Sequence, residues 1–283
     1  MNENIRKILK RLIDRYGISL ADDPGRCEGL LRDTCENGKK EIFLLSNAAR
    51  LHIPHELTNP RHLLPYPLIK GFLAKRLEDE RGFSHDASIW TVDCWAEALG
   101  IQDPTGVIKK EPDNRAPQVP AESLARSRDP VLLNQWSGDL TTAPRSSQLL
   151  IVSHLAQVPG EESCKLLIRT LKNDDPVIRT AAFEALCTPS LQAAGLLIKA
   201  LDQPDDAIVG RAALALGILK EKRAGPHLIR QLKRSSLVVG AVAWALGELE
   251  YGDAIAPLME LLPDPDERVA FAAADALKKI GSH

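Results

Sequence analysis

Apolar positions along most of this chain recur at spacings of three and four, the signature of helices with one buried face. In residues 145–283 that pattern itself repeats. The dipeptide Ala-Leu stands at Ala185-Leu186, Ala215-Leu216, Ala245-Leu246 and Ala276-Leu277, spaced 30, 30 and 31 residues apart. A second leucine column, Leu171, Leu201, Leu232 and Leu262, keeps step with spacings of 30, 31 and 30. Two columns in register predict stacked repeats, each burying its apolar face on its neighbours.

Each unit reads as two helices. In the first, the positions eight before the Ala-Leu leucine are Ile178, Ile208, Val238 and Val269, and four before it stand Ala182, Ala212, Val242 and Ala273. These share one face, and the small column lets neighbouring helices come close. In the second, Leu167, Leu197, Leu228 and Leu258 lie four before the column leucine, and Ile168, Ile198, Ile229 and Met259 three before it. That makes a second expected buried stripe. Asp175-Pro176, Pro204 and Asp264-Pro265 punctuate the units, and Gly217 and Gly247 follow the first helix as expected C-terminal glycines.

Residues 1–100 carry helical periodicity with 15 Lys and Arg against 15 Asp and Glu. The segment IRKILKRLIDRY is amphipathic, Asp22-Asp23-Pro24 opens a second helix, and a third runs from about Lys39 to Leu51. A fourth ends at Gly82, and Ser84 is the expected cap of a fifth. Residues 101–144 contain Pro104, Pro112, Pro117, Pro120, Pro130 and Pro144, which predicts a linker with a short docked piece around Val131–Trp136. The expected organisation is all-α: an N-terminal helical module (1–100), a Pro-rich linker (101–144) and an α-solenoid of four to five repeats (145–283).

The segments NDDPVIRTAAFEALCTP, GRAALALGILKEKRAGPHLIRQL, VAWALGELEYGDAIAPLMELL and DPDERVAFAAADALKKIG resemble HEAT repeats of the short, phycobilisome-lyase-like type. An arginine often follows the aliphatic residue that opens the first helix in that family. Arg179 matches, whereas Val209, Val239 and Ala270 depart. The N-terminal zone resembles a small helical module found in bacterial, especially cyanobacterial, multidomain proteins.

Composition narrows the function classes. The formal net charge is -2, and the array holds 16 Lys and Arg against 17 Asp and Glu, so no polycationic surface for nucleic acid is expected. Five cysteines without a CxxC pair argue against a disulfide framework or a zinc ribbon. Cys27, beside Arg26, is the candidate reactive thiol. No apolar run nears the roughly 20 residues of a membrane helix, and the N-terminus lacks an apolar signal core, so a cytoplasmic protein is expected. His52, His55 and His62 form no recognised metal spacing. No GxGxxG, GxxxxGK[ST] or GxSxG occurs. His55-Glu56, the sole His-Glu pair, lies outside the repeats, unlike the pairs of HEAT-repeat iron hydroxylases.

Two surfaces emerge from the repeat register. Arg169, Lys199 and Arg230, extended by Lys165, Lys172 and Lys233, sit opposite the apolar stripe of the second helices, which by resemblance line the concave side of a HEAT array. They form a candidate groove for an acidic partner segment, set against the plain alternative of a solvated charged face. Leu214 and Trp244, two before the leucine of the first helix, form a candidate exposed apolar patch. The expected function is a non-catalytic protein-interaction scaffold without cofactor. A bilin-handling factor related to phycobiliprotein lyases stays open through the resemblance, with a HEAT-type nucleic-acid binder third.

Overall fold

A computed structural model describes residues 3–35, 38–58, 65–101, 130–158 and 160–281. The chain forms two compact units divided between residues 106 and 107. The fold is all-α, and among the described residues there is no strand.

The first unit holds α1 (Glu3–Tyr16), α2 (Pro24–Thr34), α3 (Lys39–Arg50), α4 (Ile53–Thr58), α5 (Tyr66–Arg81) and α6 (His85–Ala98). The amphipathic first helix buries Ile5, Ile8, Leu9 and Ile13. Asp23 caps α2 by accepting the Arg26 backbone N–H at 3.0 Å, with Pro24 in the first turn where its missing N–H costs nothing. Pro54 sits in the first turn of the short α4 for the same reason. Helix α5 ends at Gly82, whose φ of 65° is the left-handed conformation glycine favours. Ser84 stands at the start of α6, but its side chain makes no capping bond. At the core, Trp95 is fully buried and donates its indole N–H to the Leu45 carbonyl at 3.2 Å.

The second unit is a solenoid-like array of first helices α8 (Arg145–Gln157), α10 (Pro176–Leu186), α12 (Asp206–Ile218), α14 (Ser236–Glu248) and α16 (Glu267–Gly281). The second helices are α9 (Glu161–Thr170), α11 (Ala194–Ala200), α13 (Gly225–Gln231) and α15 (Ile255–Met259). Leu186, Leu216 and Leu246 are buried, as are Ala182, Ala212, Val242 and Ala273. Burying each such leucine contributes about 1.5–3 kcal/mol before entropy is counted. Asp175 and Asp205 cap α10 and α12 through their side-chain oxygens.

The zone read as linker holds a further helix, α7 (Pro130–Thr142), which packs on α8 and α9. It occupies the place of a second helix in front of α8. Trp136 and Leu140 are buried 31 residues before Leu167 and Leu171, in their columns. The prolines from 104 to 120 lie outside the described residues.

Gly217 and Gly247 do not end helices. They lie inside α12 and α14, and the chain leaves those helices through Lys220 and Glu250, which take φ of 53° and 50°. A Cβ on Gly217 would stand 2.9 Å from the Trp244 ring, and one on Gly247 would stand 2.7 Å from the Ala276 Cα. The glycines are therefore contact points where α12, α14 and α16 pack closely side by side. Phe183 in α10 and Cys187 just after it stand at the positions of Ala213 and Gly217. Helices α10 and α12 pack far less closely than α12 and α14.

Candidate interaction surface

Where the first-helix layer opens, a cavity of about 810 Å³ forms. Leu140, Leu166, Ile178 and Ile208 supply apolar lining, and Arg145, Arg169 and Lys172 stand around it. Asn173 holds one wall together. Its side-chain amide donates to the Leu140 carbonyl and to Gln148 Oε1, both at 3.1 Å, while its own Oδ1 accepts the Asp175 N–H at 2.9 Å. Gln148 in turn donates to the Ala143 carbonyl at 2.7 Å. One buried-polar network thus ties α7, α8 and the turn before α10, as polar groups withdrawn from water require.

The charges around this cavity are unevenly matched. Arg145 pairs with Asp175 at 3.0 Å, and Asp175 also caps α10. Arg169 and Lys172 have no ion partner among the described residues. Deeper in the gap, Arg179 donates to the carbonyls of Asn173 and Asp174, and Arg211 donates to the Ala207 carbonyl at 3.1 Å. Burial, and then the charge of Arg179, push Arg211 down to about 10. Both guanidiniums thus hydrogen-bond to backbone carbonyls, and the charge of Asp205 only partly offsets the lowering at Arg211.

The expected basic stripe is only partly free. Lys165 is held by Glu161 at 2.9 Å and Glu162 at 2.8 Å, and its hydrogen bonds to those two carboxylates raise its pKa. Arg230 is exposed, with His227 Nδ1 at 2.7 Å and Asp202 at 3.9 Å. Arg169, Lys199 and Lys233 are exposed, and of these Arg169 reaches the cavity.

Leu214 and Trp244 are not a surface patch. They are 7% and 5% exposed. Their position points away from the column leucine, but α12 and α14 pack closely on one another and α14 also on α16, so that flank is covered too. The Trp244 ring lies against Gly217 and has Lys279 Nζ 5.9 Å from its centroid.

Other candidate chemistry recedes. Cys27 is buried, and desolvation first, then Glu28 and Asp23, push its thiol up to about 12. That is the opposite of a reactive setting. His55 Nε2 lies 3.0 Å from Asp22, and His62 falls outside the described residues. Among the described residues no group of three or more His, Cys, Asp or Glu is placed to hold a metal ion. No described helix is long and apolar enough to cross a membrane.

Paired helices stacked at a period near 30 define a HEAT-type solenoid, and a sequence model of HEAT repeats matches residues 233–283. Among solved structures, the complex of CpcE and CpcF of phycocyanin lyase from Nostoc sp. PCC7120 is similar at 24% identity. That match covers 62% of this chain and 70% of that one with a TM-score of 0.40. Human deoxyhypusine hydroxylase in complex with glycerol is similar at 19% identity over 98% of both chains, with a TM-score of 0.38. At these TM-scores neither likeness bears on what this chain does. No curated protein matches the sequence.

Proposed function

We propose that this chain is a non-catalytic scaffold whose second-helix face, centred on the cavity between α7 and α12, binds an acidic segment of a partner protein. The observation that carries this reading is the pair Arg169 and Lys172 at the cavity without acidic partners among the described residues. Arg179 and Arg211 add positive potential in the adjoining gap, and Lys199, Arg230 and Lys233 extend it along the array. Asp174 and Asp175 work against it, but Asp175 is occupied by Arg145 and by the helix cap. A field of this kind steers and orients an acidic chain, and salt weakens it. Repeat arrays suit the role because they present long continuous surfaces.

The test is titration of the full chain with a fluorescent Glu/Asp-rich peptide at low and high salt. Salt-sensitive saturable binding is expected, and the combined change of Arg169, Lys199 and Arg230 to Glu abolishes it with the melting temperature nearly unchanged. Peptide binding that survives the triple change would sink the assignment. An absorbance shift on adding an open-chain bilin, without peptide binding, would transfer it to the lyase-like alternative.

A further inference from the structure

The cavity between α7 and α12 is graded from inside to outside. Leu140, Leu166, Ile178 and Ile208 form buried walls, whereas the cations Arg145, Arg169 and Lys172 are exposed at its mouth. Asp174 and Asp175 share that mouth, with Asp175 held by Arg145 at 3.0 Å. The polar side chains along the walls are engaged with the protein itself. Thr170 Oγ1 donates to the Leu166 carbonyl at 2.9 Å, and Gln148 donates to the Ala143 carbonyl at 2.7 Å. The Asn173 amide is divided between the Leu140 carbonyl and Gln148 Oε1. At the mouth, Thr141 Oγ1 turns back to the Gly138 carbonyl at 2.7 Å.

A carboxylate drawn in among these walls would lose its water and meet donors already engaged, which is costly. An aliphatic side chain would lose nothing by entering. Size points the same way. A hole the size of one large aliphatic side chain is about 150 Å³, so about 810 Å³ holds several side chains of a bound segment. Acidic groups held at the mouth by Arg169 and Lys172 would leave that space wet.

Building on the acidic-partner reading, we infer that the bound segment is amphipathic: its large aliphatic side chains enter the cavity, and the acidic residues beside them stay at the mouth. Apolar burial supplies the affinity, and the charges orient the segment and select its sign.

The test uses the full chain and two fluorescent peptides of equal length and charge, one alternating Glu with Ser, the other carrying Leu at two of the Ser positions. The leucine peptide is expected to bind at least about tenfold more tightly, the lower bound for burying one leucine. Salt weakens both peptides but leaves that ratio. Thr141→Trp and, separately, Ser137→Trp place a large side chain on the cavity lining and are expected to bring the two Kd values together at unchanged melting temperature. Arg169→Glu is expected to weaken both peptides by a similar factor and keep their ratio. Equal wild-type affinities overturn the inference and leave the acidic-partner reading standing. A leucine advantage that persists in both tryptophan variants overturns the cavity as its source. If neither peptide binds while decanoate does, the occupant is a small amphipathic anion and both readings fall.

Discussion

Lys279 Nζ lies 2.9 Å from one carboxylate oxygen of Glu248, and the other oxygen takes Lys220 at 2.7 Å. One side chain thus links three successive first helices, across 31 and 28 residues of sequence. Burial acts to raise the Glu248 pKa, but the hydrogen bonds from Lys220 and Lys279 outweigh it, and the net shift is downward.

The sign of that shift sets a pH dependence. A carboxylate with a depressed folded-state pKa contributes stability that is present above its unfolded value, about 4.3 for Glu. The contribution is lost as pH falls below that value and through the folded pKa. Thermal melts from pH 7 downward are expected to show the wild type losing part of its margin over Glu248→Gln as the solution turns acid. At neutral pH that margin is about 1 kcal/mol, discounted because both lysines are partly exposed. Parallel curves for the two proteins across the acid range would show that Glu248 does not titrate as argued.

Gly247→Ala tests the close approach of α14 and α16. In a helix interior, alanine for glycine ordinarily stabilises by about 0.5–1 kcal/mol. Here the new methyl meets the Ala276 backbone at 2.7 Å, and overpacking of this kind costs about 1–3 kcal/mol. The expected result is a lower melting temperature, and a rise would mean that the helices separate without strain.

The leucine column offers a comparison at constant chemistry. Leu201→Ala removes a fully buried side chain and is expected to cost about 2–5 kcal/mol. Leu262→Ala, in the same column but exposed, is expected to cost within about 0.5 kcal/mol. Equal shifts in denaturant midpoint would contradict this difference in burial.

Asn173→Ala breaks the network behind the cavity. The Leu140 carbonyl and the Asp175 N–H both lose a partner, at an expected cost of about 1–3 kcal/mol. Acidic-peptide binding should weaken along with stability, because α7 loses its tie to the turn before α10. An unchanged denaturant midpoint would mean that water replaces the amide without loss.

Much of the array could be read from spacing alone, because a fixed period forces equivalent residues into equivalent places. What spacing does not report is the number of neighbours each helix has. Leu214 and Trp244 point away from their own column leucine, and only the side-by-side packing of α12, α14 and α16 shows that this flank is buried as well. Leu262 fits its column as well as Leu171 does, yet it is 44% exposed, which spacing does not report. Trp136 and Leu140 continue the columns one step upstream, but Pro130 and Pro144 at the ends of α7 masked the helix between them. The cavity was not legible, since it is assembled from side chains of α7, α8, α9, α10 and α12 and the turn before α10 rather than from any motif. Arg169 and Lys172 belong to the basic stripe expected from the sequence, while Asn173, which ties the cavity wall together, lies beside a turn, where periodicity carries no information.

Glycine and the left-handed turns exchange their usual duties in this array. The sharp exits from α12 and α14 are made by Lys220 and Glu250, residues that do not favour that conformation, while the residues free to adopt it, Gly217 and Gly247, are spent inside the helices. The distance between successive layers is therefore encoded in the helices and not in the connections that join them. Loops here can drift in length or composition without changing the pitch of the stack, whereas one added methyl at either glycine resets it. Positions 217 and 247 are thus the dials by which such an array would be tightened or opened.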